Sequence, residues 1–579
     1  MYFTDCLWSQ LGRWGDVLNF FDFEVFKHDW LVVIINPLER SETVIVNDPE
    51  KLREYYEAHK NEIWIGYNSR QYDQYIMKAI LCGFNPKKVN DHIIVKGLGG
   101  WSFSPLFRNI PFYNYDVIVG FHGLKTLEGF MGNDIRETSV PFDIDRKLTE
   151  AEIAETVKYC RHDVEQTVEV WLRNKSDFDA QMGLIKMFDL PLSMISKTKV
   201  QLSAIVLGAQ KKPHDDEFEI SIPDTLQVEK YSEIVDWYRN PVNMDYSKKL
   251  EVDVAGVPHL FAWGGLHGAI PKYFGEGHFL MMDVESLYPS LMIEYDYQSR
   301  NIADRNKYRE IRDMRLKYKH EKNPLQAPLK IVLNGTYGAM KDKNNNLYDP
   351  RQANNVCVAG QLLLLDLIEH LEPHCQIIQS NTDGILIKLN SIDDYELIDD
   401  IAWEWEQRTR LELEFDQYAK VFQKDVNNYV LVDYDGKMKS KGAYVKKLND
   451  LDFDLPIVNK AMVEFMVSGT PVEETIRKCD DLRMFQKIVK ISSKYWKGLH
   501  NGEYLSDKTF RVFASLDPKD GTIYKIKTPG ANPEKFANTP ESCFIDNSSV
   551  NGAKVPDHLD RSWYAELAHE RLKQFGVME

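Results

Sequence analysis

Two sets of acidic residues in this 579-residue chain have spacings that could hold divalent cations. In FFDFEVF, Asp22 and Glu24 stand two apart in a strand-like alternation, so both project from one face. Paired acids repel unless a cation neutralises them, which makes this a metal site or, as a lone signal, a solvated strand edge. Downstream, Asp73 closes the run YNSRQYD at the entry to a helical segment. Tyr159 and Asp163 then fall i, i+4 on a helix and share its face. The second set begins with Asp283, which ends the apolar strand of HFLMMDVESLYPSLMIEY; a buried strand with an incidental Asp fits the hydrophobics but not the SLYP run. Its partner is Asp383 in QIIQSNTDGILIKL, two short strands around an Asp-Gly turn signal, where a plain turn residue is the alternative.

Taken in order, Asp22-x-Glu24, Asn68-x-x-x-Tyr72-Asp73 and Tyr159-x-x-x-Asp163 resemble the three exonuclease motifs of proofreading DNA polymerases. Asp283-Val-Glu-Ser286-Leu287-Tyr288-Pro289 resembles motif A of family B DNA polymerases, Lys330-x-x-x-Asn334-x-x-Tyr337-Gly338 resembles motif B, and Asn381-Thr382-Asp383 resembles motif C, whose usual core is D-T-D. The resemblance implies that Asp22, Glu24, Asp73 and Asp163 hold two metals, that Tyr159 orients the attacking water, and that Asn68 and Tyr72 handle a single-stranded 3′ end. It implies that Asp283 and Asp383 hold the polymerase metals, Mg²⁺ with Mn²⁺ able to substitute, two at each site. Backbone N–H groups at Ser286 and Leu287 would receive the triphosphate at a helix start. The Tyr288 ring would exclude ribonucleotides. Lys330 would neutralise the phosphates, with Asn334 and Tyr337 against the nascent base pair. In the basic helix RNKYREIRDMRLKYK, Arg309 and Arg312 are the chosen further triphosphate contacts, although several registers align and a solvent-facing charged helix is the alternative. Gly264 and Gly265 resemble the Y-x-G-G turn that contacts template, and Thr382, Lys424, Tyr429, Lys439 and Lys441 are candidates for gripping DNA. Asn381 departs from the pattern: one acid fewer should weaken metal affinity or alter metal preference.

The elements must place these residues. Residues 17 to 46 alternate apolar and polar as consecutive strands. Leu148 to Trp171 predicts a helix opened by a capping box of Thr149 and Glu152. A polar loop at Lys211 to Glu217 and a glycine turn at Trp263 to Gly268 punctuate the middle. A strand, a basic helix pair, a helix, a hairpin and more strands follow Phe279 up to about Lys447, and the rest mixes helices with loops.

The fold expected is α/β and multidomain: a ribonuclease H-like exonuclease (1–200), a connecting segment (201–270), then a right-hand polymerase with an antiparallel-sheet palm (271–300 and 341–450), helical fingers (301–340) and a thumb (451–579). Composition agrees with a multidomain globular chain: 43% hydrophobic, 27% charged, and no apolar run of about 18 residues. No secretory signal opens it, so the cytoplasm is expected, that of a bacterial host if the chain is viral. Seven scattered cysteines without a CxxC pair argue against zinc, iron–sulfur and disulfides, and for reduced, mostly buried thiols. The formal charge of −17 opposes nucleic acid overall, yet basic clusters at Arg305 to Lys322 and Lys437 to Lys447 could line a groove.

Only 47 positions separate Asp283 from Lys330 and 53 separate Lys330 from Asp383, leaving no room for the insertions of protein-primed relatives. An ordinary 3′-OH primer and a compact, phage-like replicative monomer without an added N-terminal domain are therefore expected. Its partners are primer–template DNA and dNTPs, with replisome or single-strand-binding proteins, and no membrane. Two rivals are a polymerase-shaped scaffold, inactivated at Asn381, in which only the nuclease works, and a repair nuclease with a DNA-binding module. The intact Lys330, Asn334 and Tyr337 argue against both.

Overall fold

The computed structural model describes residues 18–37 and 39–577 and divides into two units. The expected strand start at Val17 and the thiol of Cys6 lie outside these residues. Among the described residues the other six cysteines are free, four of them buried, and no helix is long and apolar enough to cross a membrane.

The first unit comprises residues 18–198 with Leu448–Pro456 and Asp480–Asp560. Its centre is a five-stranded sheet of β1 (Leu18–Val25), β2 (Trp30–Asn36), β3 (Ser41–Val46), β4 (Ile63–Gly66) and β5 (Tyr113–Asp116), in the order β3-β2-β1-β4-β5. β1 runs antiparallel to β2 and parallel to β4, which is parallel in turn to β5. Both faces of β1 are covered, and the period of two sorts its residues. Leu18 and Phe20 enter one apolar cluster; Phe21, Phe23 and Val25 enter another. Three helices matter to function: α1 (Asp73–Leu81), α2 (Leu124–Met131) and α3 (Glu150–Arg173). α3 starts at the predicted capping box, in which the Thr149 hydroxyl accepts from the Glu152 N–H while the Glu152 carboxylate accepts from the Thr149 N–H.

The second unit comprises Lys199–Lys447, Ile457–Cys479 and residues 561–577. Its nine-stranded antiparallel sheet is built from β6 (Lys249–Val254), β7 (Val257–Ala262), β8 (His267–Ala269), β9 (Tyr273–Val284), β10 (Gln376–Asn381), β11 (Gly384–Lys388), β12 (Leu413–Asp425), β13 (Asn428–Val432) and β14 (Met438–Lys441). Their order is β14-β13-β12-β9-β11-β10-β8-β7-β6. Inserted in this sheet are α4 (Leu287–Glu294), the basic pair α5 (Asn306–His320) and α6 (Gln326–Lys341), and α7 (Pro350–Leu371). α7 begins with Pro350 after an Asp349 cap and is buried nearly all round, as its Leu-rich run requires.

The chain after residue 450 does not form one body. Leu448–Pro456 and Asp480–Asp560 belong to the first unit, whereas Ile457–Cys479 and residues 561–577 belong to the second. The expected thumb at 451–579 is thus divided, because the apolar faces of its short strands are covered by the first unit's α2: Ile488 Cδ1 would stand 2.7 Å from a Cβ added to Gly129.

Candidate active sites

In the first unit, Asp22 and Glu24 continue the row of Leu18 and Phe20 on β1, the face against which α3 packs Cys160 and Val164. Cys160 Sγ donates to the Asp22 carbonyl at 3.3 Å. One ligand atom each from Asp22, Glu24 and Cys160 lie within 4.8 Å of one another. Asp73, the first residue of α1, accepts from the Phe23 N–H at 3.2 Å, which ties it to the strand between the two acids. α3 supplies Tyr159 and Asp163 one turn apart. The five residues expected to act together are brought together.

Burial raises every carboxyl in this cluster, and the charges of neighbouring acids add to it. Burial, then the charges of Asp73, Glu24 and Asp163, hold Asp22 well above the usual range. Burial and then Asp163 do the same to Glu24. Asp73 is pushed up to about 7, chiefly by burial, and Asp163 to about 6, with Lys125 opposing. Carboxylates packed this closely resist ionising together, a donor set that suits divalent cations. Two members escaped the sequence reading. Lys125 on α2 donates to Asp163 and, at 3.0 Å, to the buried Glu128, and lies 4.6 Å from the centre of the Tyr159 ring. Their signal was a charged i, i+3 pair inside the apolar helical run LKTLEGFM. Tyr72 is half-buried, its hydroxyl donating to Asn90 Oδ1 at 2.8 Å; burial and then Asp73, Glu24 and Asp22 raise it. Asn68 is exposed, with a left-handed φ of 57°.

In the second unit, Asp283 and Asp383 meet through strand pairing. β9 lies between β11 and β12, and the register sets Asp283 opposite Gly384 on one side and Glu414 on the other. A Cβ at Gly384 would stand 2.0 Å from Asp283 Oδ1, so any side chain there would displace that carboxylate. The Val284 N–H donates to the Asp383 carbonyl at 2.7 Å, locking the hairpin tip to the end of β9. Thr382 takes a φ of 47°, unfavourable for a β-branched residue, and its N–H donates to the Leu266 carbonyl at 2.7 Å. Gly265 makes room for it, since a Cβ there would meet Thr382 Oγ1 at 2.8 Å, whereas Gly264 faces open space.

The acids open into a cavity of about 360 Å³ lined also by Ser286, Asn381, Tyr429, Lys439 and Lys441. Lys439 Nζ stands 3.1 Å from Asp283 Oδ2 and 3.3 Å from Asp416 Oδ2. Burial alone would lower its pKa, but the Asp283 carboxylate and its neighbours outweigh that and raise it. Asp383 is raised by burial and then by Asp283. The Asn381 carboxamide donates to the Val426 carbonyl at 3.3 Å. Two acids and a carboxamide oxygen can take a cation here once Lys439 gives up Asp283.

No family model matches the chain. Curated relatives do: 29% identity over 243 residues to DNA polymerase 1 of Saccharolobus solfataricus, covering 38% of this chain and 25% of the relative. DNA polymerase 1 of Sulfurisphaera ohwakuensis is 28% identical over 194 residues, 33% of this chain and 21% of the relative. By sequence, this chain resembles archaeal DNA polymerases. The match spans about a quarter of the length of these relatives. A solved family B DNA polymerase from Pyrobaculum calidifontis aligns over 97% of this chain and 78% of that one at 14% identity and a TM-score of 0.41.

The remaining polymerase-like residues are unevenly placed. Lys330 and Asn334 project from one exposed face of α6, and the half-buried Tyr337 ring lies 4.5 Å from that of Tyr288. Ser286, with a φ of 53°, opens α4, while Leu287 is buried. Arg309 and Arg312 are not at the cavity. Arg309 donates to Glu294 at 3.0 Å, and Arg312 lies 3.7 Å from the same carboxylate, because the first turns of α5 run beside the end of α4. Further along α5, Arg315 donates to Ser286 Oγ at 3.1 Å and Lys319 to Glu285 and Glu414 at 2.9 and 2.8 Å, and both line the cavity. Their i, i+4 spacing was the available signal. Lys424 sits apart, 5.0 Å from the ring centre of Tyr444.

Proposed function

We propose that this chain is a template-directed DNA polymerase that extends a DNA or RNA primer with dNTPs and proofreads with a 3′→5′ exonuclease in its first unit. The reading rests on the pairing of β9 with β11, which faces Asp283 across Gly384 beside Asp383 in one cavity rimmed by cations. The nine-stranded sheet acts as the palm and α5 with α6 as the fingers. Asp283 and Asp383, and Asp22, Glu24, Asp73 and Asp163, would hold divalent cations, which would supply Lewis-acid activation of the attacking oxygen and stabilisation of the leaving one. The primer 3′ hydroxyl attacks the α-phosphate, the bond to the β-phosphate breaks, and pyrophosphate leaves. Arg315, Lys319 and Lys330 offset the triphosphate charge. Asn334 and Tyr337 face the nascent base pair, and Tyr288, packed on Tyr337, closes the space beside the sugar 2′ carbon. In the first unit Tyr159 orients the attacking water while Asn68 and Tyr72 hold the frayed 3′ end. Phage genome replication from an ordinary 3′-OH primer completes this reading.

Asn381, together with Lys439 on Asp283, favours a second reading in which only the nuclease works. Primer extension separates the two. Asp383→Ala is expected to abolish synthesis and spare degradation of single-stranded DNA, and Asp22→Ala to do the reverse. Wild-type protein that never extends a primer with Mg²⁺ or Mn²⁺ would leave the scaffold reading standing.

A further inference from the structure

Residues 487–535 carry ten Lys and Arg against five Asp and Glu, a local excess of five positive charges in a chain of formal charge −17. Arg511 is buried in the first unit; the other nine are lysines. Part of this segment folds as a small antiparallel sheet of Glu503–Leu505, Lys497–His500, Tyr524–Ile526 and Glu534–Lys535, in that order.

The sheet has one covered face and one that is partly open. Directly paired residues share a face. Gly498 pairs with Leu505 and Lys525, and a Cβ on Gly498 would stand 2.8 Å from Ile491 Cδ1, so that side rests on the apolar cluster of Val489, Ile491 and Phe510. Leu499 pairs with Tyr504 and Tyr524, Lys497 with Ile526, and Tyr524 with Lys535, which puts two tyrosines, a leucine, an isoleucine and two lysines on the other side, where Ile526 is buried and Tyr504 and Lys535 are exposed. Tyr504 is 53% exposed and Trp496, just before its strand, 42%; their rings meet edge to face at 5.1 Å. Lys497 Nζ lies 5.5 Å from the centre of the Trp496 ring. Lys494 and Lys527 flank the face, both exposed. The nearby acids are largely engaged: Glu534 accepts from the Tyr495 hydroxyl at 2.6 Å and lies 3.8 Å from Lys525, and Glu541 pairs with Lys535. Glu503, at the far end of its strand, is exposed, as is Glu534.

We infer that this face is a binding platform for single-stranded DNA. Exposed aromatic rings on a sheet, interleaved with lysines, match a strand whose bases are free to stack and whose phosphates run past cations. A duplex hides its base faces and would leave Trp496 and Tyr504 unused. A protein partner for an apolar sheet would not select the positive surplus. The inference does not depend on which carboxylate site is active.

The test is fluorescence anisotropy of the full chain with labelled oligo(dT), oligo(U) and a blunt DNA duplex, in EDTA so that nothing is degraded. Trp496→Ala/Tyr504→Ala is expected to weaken oligo(dT) binding by about 5-fold to 100-fold, the range for lost base stacking, with duplex binding unchanged. Lys494→Ala/Lys497→Ala/Lys527→Ala is expected to reduce the salt slope of oligo(dT) binding by about 2, at roughly 0.7 per neutralised phosphate. These side chains are exposed or half-exposed, so the thermal midpoint should not move, and the lysine variant tests the face independently of the aromatic one. Unchanged affinity and salt slope in both variants would overturn the proposal. So would a loss confined to the duplex, or tighter oligo(U) than oligo(dT) binding that both variants remove. Absence of primer extension bears on the polymerase reading and leaves this outcome unaffected.

Discussion

At the scale of the residue, the polymerase-like cavity differs from the exonuclease-like cluster in charge balance. Four acids crowd the first unit around Lys125; in the second, Asp283 and Asp383, with Glu285 and Glu414, share their cavity with Lys439, Lys441, Arg315 and Lys319. Asn381 decides how far that balance tips. Its carboxamide sits at the end of β10, two positions before Asp383, and keeps a coordinating oxygen without the charge. Asn381→Asp is therefore expected to lower the Mg²⁺ concentration for half-maximal primer extension by roughly 30-fold, since one further charge at about 4 Å from a divalent cation in a water-like dielectric contributes about 2 kcal/mol. A Mg²⁺ titration of extension rate checks this. An unchanged midpoint would mean that position 381 does not reach the cation.

At the scale of the element, the site depends on how closely two strands approach. β9 and β11 hold the Asp283 carboxylate beside Asp383 in space that a side chain at position 384 would enter. Gly384→Ala forces the Asp283 carboxylate or the strand aside, and a displacement near 1 Å is worth about 100-fold in rate. The expected result is primer extension down by at least that factor with degradation of single-stranded DNA retained, both read on the same labelled primer. The strand and helix periods made much of this visible in the sequence: period two put Asp22 with Glu24, the i, i+4 rule put Tyr159 with Asp163, and Asp-Gly marked the hairpin. What stayed hidden was relative placement. A charged helix presents several equivalent registers, so RNKYREIRDMRLKYK could not say that Arg315 and Lys319, rather than Arg309 and Arg312, reach the cavity. The i, i+3 pair of Lys125 and Glu128 could not show that Lys125 also meets Asp163, which lies 38 positions away.

At the scale of the whole molecule, the chain returns to its first unit after building most of its second, and the return supports the exonuclease-like cluster. α2 carries Lys125 and Glu128, and its C-terminal carbonyls are satisfied by side chains more than 350 positions later. Arg511 Nη2 donates to the Gly129 and Asn133 carbonyls at 3.3 and 2.7 Å, Arg483 Nη2 to that of Phe130 at 2.6 Å, and Asn551 Nδ2 to that of Met131 at 3.1 Å. Arg511 is buried, and burial lowers its pKa to about 10, so the guanidinium still carries its charge at neutral pH. A reading by sequence order cannot find such a pairing, and the residues after 450, expected as one contiguous domain, divide between the two units. Arg511→Met fills the space and leaves the carbonyls unpaired. At about 1–3 kcal/mol per orphaned buried group, the first unit should lose about 3 kcal/mol. Calorimetry should show its thermal transition falling by roughly 6–12 °C. Degradation of single-stranded DNA should then fail at a lower temperature than primer extension does, whereas loss of both at one temperature would mean that the two units unfold as a single cooperative body.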